Sequence, residues 1–120
     1  MREPVRDKER LRHIYDAINR IQGRIPTLNL ESLLQDVLVY YGVVKNIEII
    51  GEAVYKLSKE FKEEHNMTAW EDIEGMRHVL VHDYYNIQPG RVLHVIENDL
   101  PPLKAKIEQY LSEMDEQQRY

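Results

Sequence analysis

The run from Leu30 to Phe61 constrains this chain more than any other feature. Leu30, Leu33, Leu34, Val37, Leu38, Tyr41, Val44, Ile47, Ile50, Val54, Leu57 and Phe61 return at spacings of three and four, the repeat of one face of an α-helix. Asn29 is placed to cap its start and Asn66 to stop it. A single helix over this span is about fifty ångströms long. Within a chain of 120 residues, such a rod has to be covered along its length by other helices. Its apolar face is also wide enough to meet a second subunit. In the run IIGEA, Gly51 and Ala53 let another backbone come close, a packing reason for a helical glycine that otherwise costs about 1 kcal/mol.

The remaining segments supply the covering helices. Leu11, Ile14, Ile18, Ile21 and Ile25 form one stripe on a helix expected from about Asp7, its N-cap, to Arg24, with Pro26 ending it. Trp70, Ile73, Met76, Leu80 and Tyr84 form a third stripe, on a helix ending near Tyr85. VLVHDYY within it is rich enough in valine to suggest a strand, but no other segment offers a partner strand. Pro89 suits the first turn of a last helix through Val92, Val95, Ile96, Leu100, Leu103, Ile107 and Leu111, which Pro101 and Pro102 kink or divide at Leu100. Glu113 to Tyr120 has no apolar period and is expected to fray. The pattern predicts an all-α protein: an antiparallel bundle of roughly four to five helices, one domain over 1–120, without internal repeats.

Composition narrows the class. Hydrophobic residues make up 42% and charged residues 31%, with five Gly, five Pro and no Cys, a balance foreign to disordered chains and disulfide scaffolds. The charged first residues are unlike a signal peptide, and VLVYYGVV, the longest apolar run, is too short to span a bilayer. A cytoplasmic protein with no membrane association is expected. The net charge of -5 argues against coating nucleic acid by bulk electrostatics but leaves room for a local basic pocket. The amino-terminal helix is the most basic part, with Arg2, Arg6, Lys8, Arg10, Arg12, Arg20 and Arg24 against Glu3, Asp7, Glu9 and Asp16.

The stretch GMRHVLVHDYY, Gly75 to Tyr85, carries unusual chemistry for a helix core. On a helix, Tyr84 falls about 20° from Arg77, and His82 falls about 140° away. His78 and His82, four apart, share a face. Taken singly, each has an ordinary explanation: Arg77 pairs with a carboxylate, Tyr84 is half core, and the histidines are surface groups. Together they permit two others. Glu74, His78 and His82 at successive fours could hold a divalent ion, although the chain offers no HExxH, no Cys and no clear fourth ligand. Alternatively, an imidazole can move the proton of a ribose 2′-hydroxyl while a guanidinium holds the phosphate, which is phosphodiester chemistry without a metal or cofactor. A symmetric dimer would bring two copies of that pair together.

These residues resemble the HEPN superfamily of small helical proteins and, within it, the HepT toxins of HepT/MntA toxin–antitoxin pairs. The superfamily motif is an arginine and a histidine with four to six residues between them; the HepT form, R-x4-H-x-Y, reads Arg77, His82 and Tyr84 here. DKERLRHIYDAINRI, IEIIGEA, AWEDIEGMRHVLVHDYY and ENDLPPLKAKI extend the likeness from Asp7 to about Ile107. The resemblance implies a dimeric HEPN-like bundle with metal-independent endoribonuclease activity on RNA, in which Arg77 clamps phosphate and His82 is the acid/base. It further implies an MntA-like minimal nucleotidyltransferase antitoxin that transfers AMP to Tyr84, with Tyr85 the competing acceptor. His78 stands where most relatives have asparagine, as a substitute orienting group or a second proton carrier. His78, Asp83 and Glu52 are expected in supporting roles, Glu52 as a buried or interface carboxylate that pairs with Lys56 or tethers an arginine. The alternative is a helical dimer with no nuclease activity, which docks a nucleotidyltransferase or presents a nucleotide to it.

Overall fold

The computed structural model of the chain describes residues 4–24, 29–75 and 89–118. Among them every regular element is helical and no strand occurs, as the three-and-four spacing requires. Helix α1 spans Pro4–Gln22, α2 Leu30–Gln35, α3 Val37–Lys56 and α4 Lys59–Glu64. Residues 70–75 are helical and form α5. Then α6, Pro89–His94, runs through a π-helical turn at Val95–Asp99 into α7, Leu100–Gln118.

α3 packs chiefly along α1, and α7 also packs against α1. Their stripes meet in one core. Leu11, Ile14, Ile18 and Ile21 of α1, Ile47, Ile50 and Val54 of α3, and Leu100, Leu103 and Ile107 of α7 are all buried, each Ile or Leu contributing about 1.5–3 kcal/mol over its exposed state. A second, aromatic part of the core lies at the end of α4. Phe61 stacks on His65 at 4.2 Å and meets the edge of Tyr110 at 5.7 Å. The Trp70 indole N–H donates to the His65 carbonyl at 3.0 Å, and the Thr68 and Tyr110 hydroxyls bond each other in the interior. Those polar handles let Trp and Tyr be buried without an orphaned donor.

The expected helix over Leu30–Phe61 is divided at two points. Asn29 does cap the start, in a capping box with Ser32. At Asp36, however, the backbone turns extended, and its carboxylate accepts from the N–H groups of Leu38 and Val39, ending α2 and opening α3. At Ser58 the hydroxyl accepts from Phe61 N–H and opens α4. Apolar period survives both breaks because a short capped break can return the chain to the same face.

Asp7 does not cap its own helix, which begins earlier, at Pro4. It is buried, 2% exposed, and its carboxylate accepts from Ser58 N–H at 2.8 Å and Ser58 Oγ–H at 2.7 Å. One carboxylate thus binds α1 to the break between α3 and α4.

Pro101 and Pro102 divide the last helix without ending it. Leu100 N–H donates to the Val95 carbonyl five residues back, so the turn ahead of the two prolines is widened where their rings and missing N–H groups would disrupt an α-register. The Asn98 side-chain amide donates to the His94 carbonyl at 3.1 Å, satisfying an acceptor in the shifted ladder. The rod from Pro89 to Gln118 is about 45 Å long and accounts for the long axis of a molecule 50 × 28 × 21 Å in extent. The expected frayed tail from Glu113 is helical through Gln118. Met114 is buried there and Lys8 Nζ meets Asp115 at 2.6 Å, contacts with α1 that a periodicity argument does not register.

Candidate functional site

Arg77, His78, His82, Asp83 and Tyr84 lie outside the described residues. Helix α5, residues 70–75, is anchored on the core: Trp70 is buried against Phe61, and Ile73 packs on the core. Glu74, the carboxylate of the metal alternative, sits 4.0 Å from Lys62 Nζ. Among the described residues no three His, Cys, Asp or Glu side chains gather closely enough to hold a metal ion.

Glu52 lies in a cleft of about 270 Å³ between α1 and α3. Arg10 and His13, three apart, face it from α1; Lys45, Glu48, Glu52 and Lys56 line it from one face of α3. Of the two expectations for Glu52, a buried or an interface carboxylate, the single chain leaves the interface one, since the side chain is 45% exposed. It does pair with Lys56, four residues on, with Oε1 to Nζ at 4.0 Å. Gly51 and Ala53, the small residues of the same run, are buried, consistent with the close approach of helices that their size allows.

Two other charged residues of α1 are engaged away from the cleft. Lys8 meets Asp115, and Asp7 is held by Ser58. Arg10 remains in the cleft, and its Nε is buried without a hydrogen-bond partner among the described residues. With Lys45 and Lys56 it sets three basic side chains against the carboxylates of Glu48 and Glu52, beside the His13 imidazole. The arrangement can hold an anion and supplies an imidazole, but among these residues there is no activated nucleophile. Sequence reasoning registered the basic bias of α1 and missed Arg10, His13 and Lys45 as a group. The available signal was their helical spacing, which becomes informative only once α3 is known to lie beside α1.

A family model described as Ribonuclease HepT-like matches residues 14–110, a span that contains α3 and all of Arg77 to Tyr84. A protein of Caldanaerobacter subterraneus subsp. tengcongensis described as a candidate RNase is 32% identical over 101 residues, covering 84% of this chain and 90% of that one. A Thermococcus cleftensis protein described as a probable ribonuclease HepT is 31% identical over 101 residues, 84% of this chain and 92% of that one. A Methanocaldococcus jannaschii protein, also described as a candidate RNase, is 26% identical over 113 residues, 93% of each chain. No solved structure matches.

Proposed function

The chain belongs to the HepT-like ribonuclease family, and on that footing we propose that it is a metal-independent endoribonuclease, the toxin of a bacterial or archaeal toxin–antitoxin pair acting in the cytoplasm. The observation that carries the reading is Arg77, His82 and Tyr84 in the order R-x4-H-x-Y inside the matched span.

The chemistry needs few groups. The His82 imidazole takes the proton of a ribose 2′-hydroxyl, and the 2′-oxygen attacks the adjacent phosphorus. The bond to the 5′-oxygen of the next nucleotide breaks, and that oxygen is protonated by an imidazolium, leaving a 2′,3′-cyclic phosphate and a free 5′-hydroxyl. The Arg77 guanidinium neutralises the charge that builds on the phosphoryl oxygens. His78 and Asp83 orient the pair. A homodimer, or a higher assembly, supplies two copies of each group. Leu34, Val37, Leu38 and Tyr41, all exposed at the α2–α3 corner, support a covered apolar face of this kind. Silencing follows if an MntA-like nucleotidyltransferase adds AMP to Tyr84, because an anionic group beside the catalytic pair occupies the phosphate site and repels RNA. No helix of the described residues is long and apolar enough to cross a membrane, in keeping with a substrate met in solution.

The net charge of -5 favours a second reading, a helical dimer that docks the nucleotidyltransferase or its nucleotide and cuts nothing. The two part in one experiment: purified protein incubated with tRNA and mRNA in EDTA, beside His82→Ala. The nuclease reading expects cleavage that drops at least about 100-fold in the variant, with helicity unchanged. After co-expression with an MntA-like nucleotidyltransferase, it expects the mass of AMP on Tyr84. Uncut RNA with and without EDTA returns the second reading.

A further inference from the structure

We propose that the cleft between α1 and α3 binds consecutive phosphates of the RNA strand, using residues that lie outside the Arg77–Tyr84 motif. The proposal rests on the ribonuclease reading for the identity of its ligand.

Three features of the cleft point to a polyanion. The chain carries a net charge of -5, yet Arg10, Lys45 and Lys56 line this cleft against two carboxylates, Glu48 and Glu52, so the local balance runs against the molecular one. Arg10 Nε is buried and has no acceptor among the described residues, although Glu48 and Glu52 line the same cleft. A guanidinium fork takes phosphate oxygens bidentately, as it takes carboxylates. Finally, Lys45 and Lys56 stand at the two ends, about 16 Å apart along α3. A single small anion cannot reach both, whereas a strand with a phosphate at every nucleotide can. The Glu52–Lys56 contact, at 4.0 Å between half-exposed side chains, is loose enough for Lys56 to exchange a carboxylate for a phosphate. Ile49 and Ala53 floor the cleft, giving apolar surface for the ribose between charges.

The test is the affinity of the full chain for a single-stranded RNA bearing 2′-O-methyl riboses, which lacks the nucleophile and cannot be cut, measured by fluorescence anisotropy across salt concentrations. Three proteins are compared: the unaltered chain, the cleft variant Lys45→Gln with Lys56→Gln, and a control, Lys59→Gln with Lys106→Gln, which removes the same charge elsewhere. All four lysines are at least partly exposed, so folding is preserved and is checked by helicity. Loss of two phosphate contacts lowers the slope of log K against log salt by about 1.4 and weakens binding about 20-fold at 0.1 M salt, while the control changes little. Equal loss in both variants, no loss in the cleft variant, or no binding by the unaltered chain overturns the proposal. Cleavage of unmethylated RNA is scored separately. A chain that cuts RNA but binds it equally well in both variants refutes the cleft alone. A chain that cuts nothing yet binds through Lys45 and Lys56 refutes the nuclease reading and leaves the cleft.

Discussion

The Asp7 carboxylate accepts from the backbone and the hydroxyl of Ser58, fifty-one residues further along the chain. Ser58 Oγ in turn accepts from Phe61 N–H, so this contact sets where α4 begins and how Phe61 enters the core. Removing the carboxylate strands partly buried donors, and a stranded donor costs more than the net worth of the bond it lost. Asp7→Ala is expected to lower stability by about 1–3 kcal/mol in urea unfolding, and Asp7→Asn, which keeps one acceptor, by less. Equal stability of Asp7→Ala and the unaltered chain would remove Asp7 from this role. The same residue shows the reach of local rules: an aspartate near a helix start reads as a cap, and only the distant partner reveals otherwise.

Among the elements, the division of the long apolar run is the most informative. Twelve apolar positions keep one period, and that period is blind to a break that preserves the face. Asp36 makes such a break, holding the N–H groups of Leu38 and Val39. Asp36→Ala should therefore cost about 1 kcal/mol with no increase in helical circular dichroism. A rise in helicity, with stability kept, would mean that α2 and α3 fuse once the cap is gone. At Leu100 the prolines were legible in the sequence, since rings without N–H groups must disturb an α-helix. The form of the disturbance, a widened turn with the Asn98 amide on the His94 carbonyl, depends on keeping Ile96 and Leu100 both in the core.

At the scale of the whole molecule, burial is uneven. α3 is buried from Val43 to Val54 on its inner face, yet Leu38 is 84% exposed and Leu34, Val37 and Tyr41 lie open beside it. α1 packs along the middle of α3, and these four side chains at the corner stay exposed among the described residues. Leu38→Asp is expected to leave unfolding of the single chain unchanged, because the side chain touches little. If a second copy seats on this corner, the substitution buries an unpaired charge there, and sedimentation should show the assembly dissociating at least about tenfold more readily. A monomeric unaltered chain at all concentrations would refute a role for this face in self-association.

The sequence by itself determined the helical class, the stripes on α1 and α7, the cap at Asn29, the start at Pro89 and the motif Arg77, His82 and Tyr84. Each of these depends on residues within a turn or two of one another, or on chemistry that the residue types carry wherever they sit. Tertiary structure alone decided the break at Ser58, the burial of Asp7, the helical tail against Lys8 and the charged cleft. These arise where segments distant in sequence meet: a carboxylate finds a hydroxyl, one helix face is covered while another is left open, and Arg10 comes to face Lys45 and Lys56. Periodicity states that a face exists; only packing states what it faces.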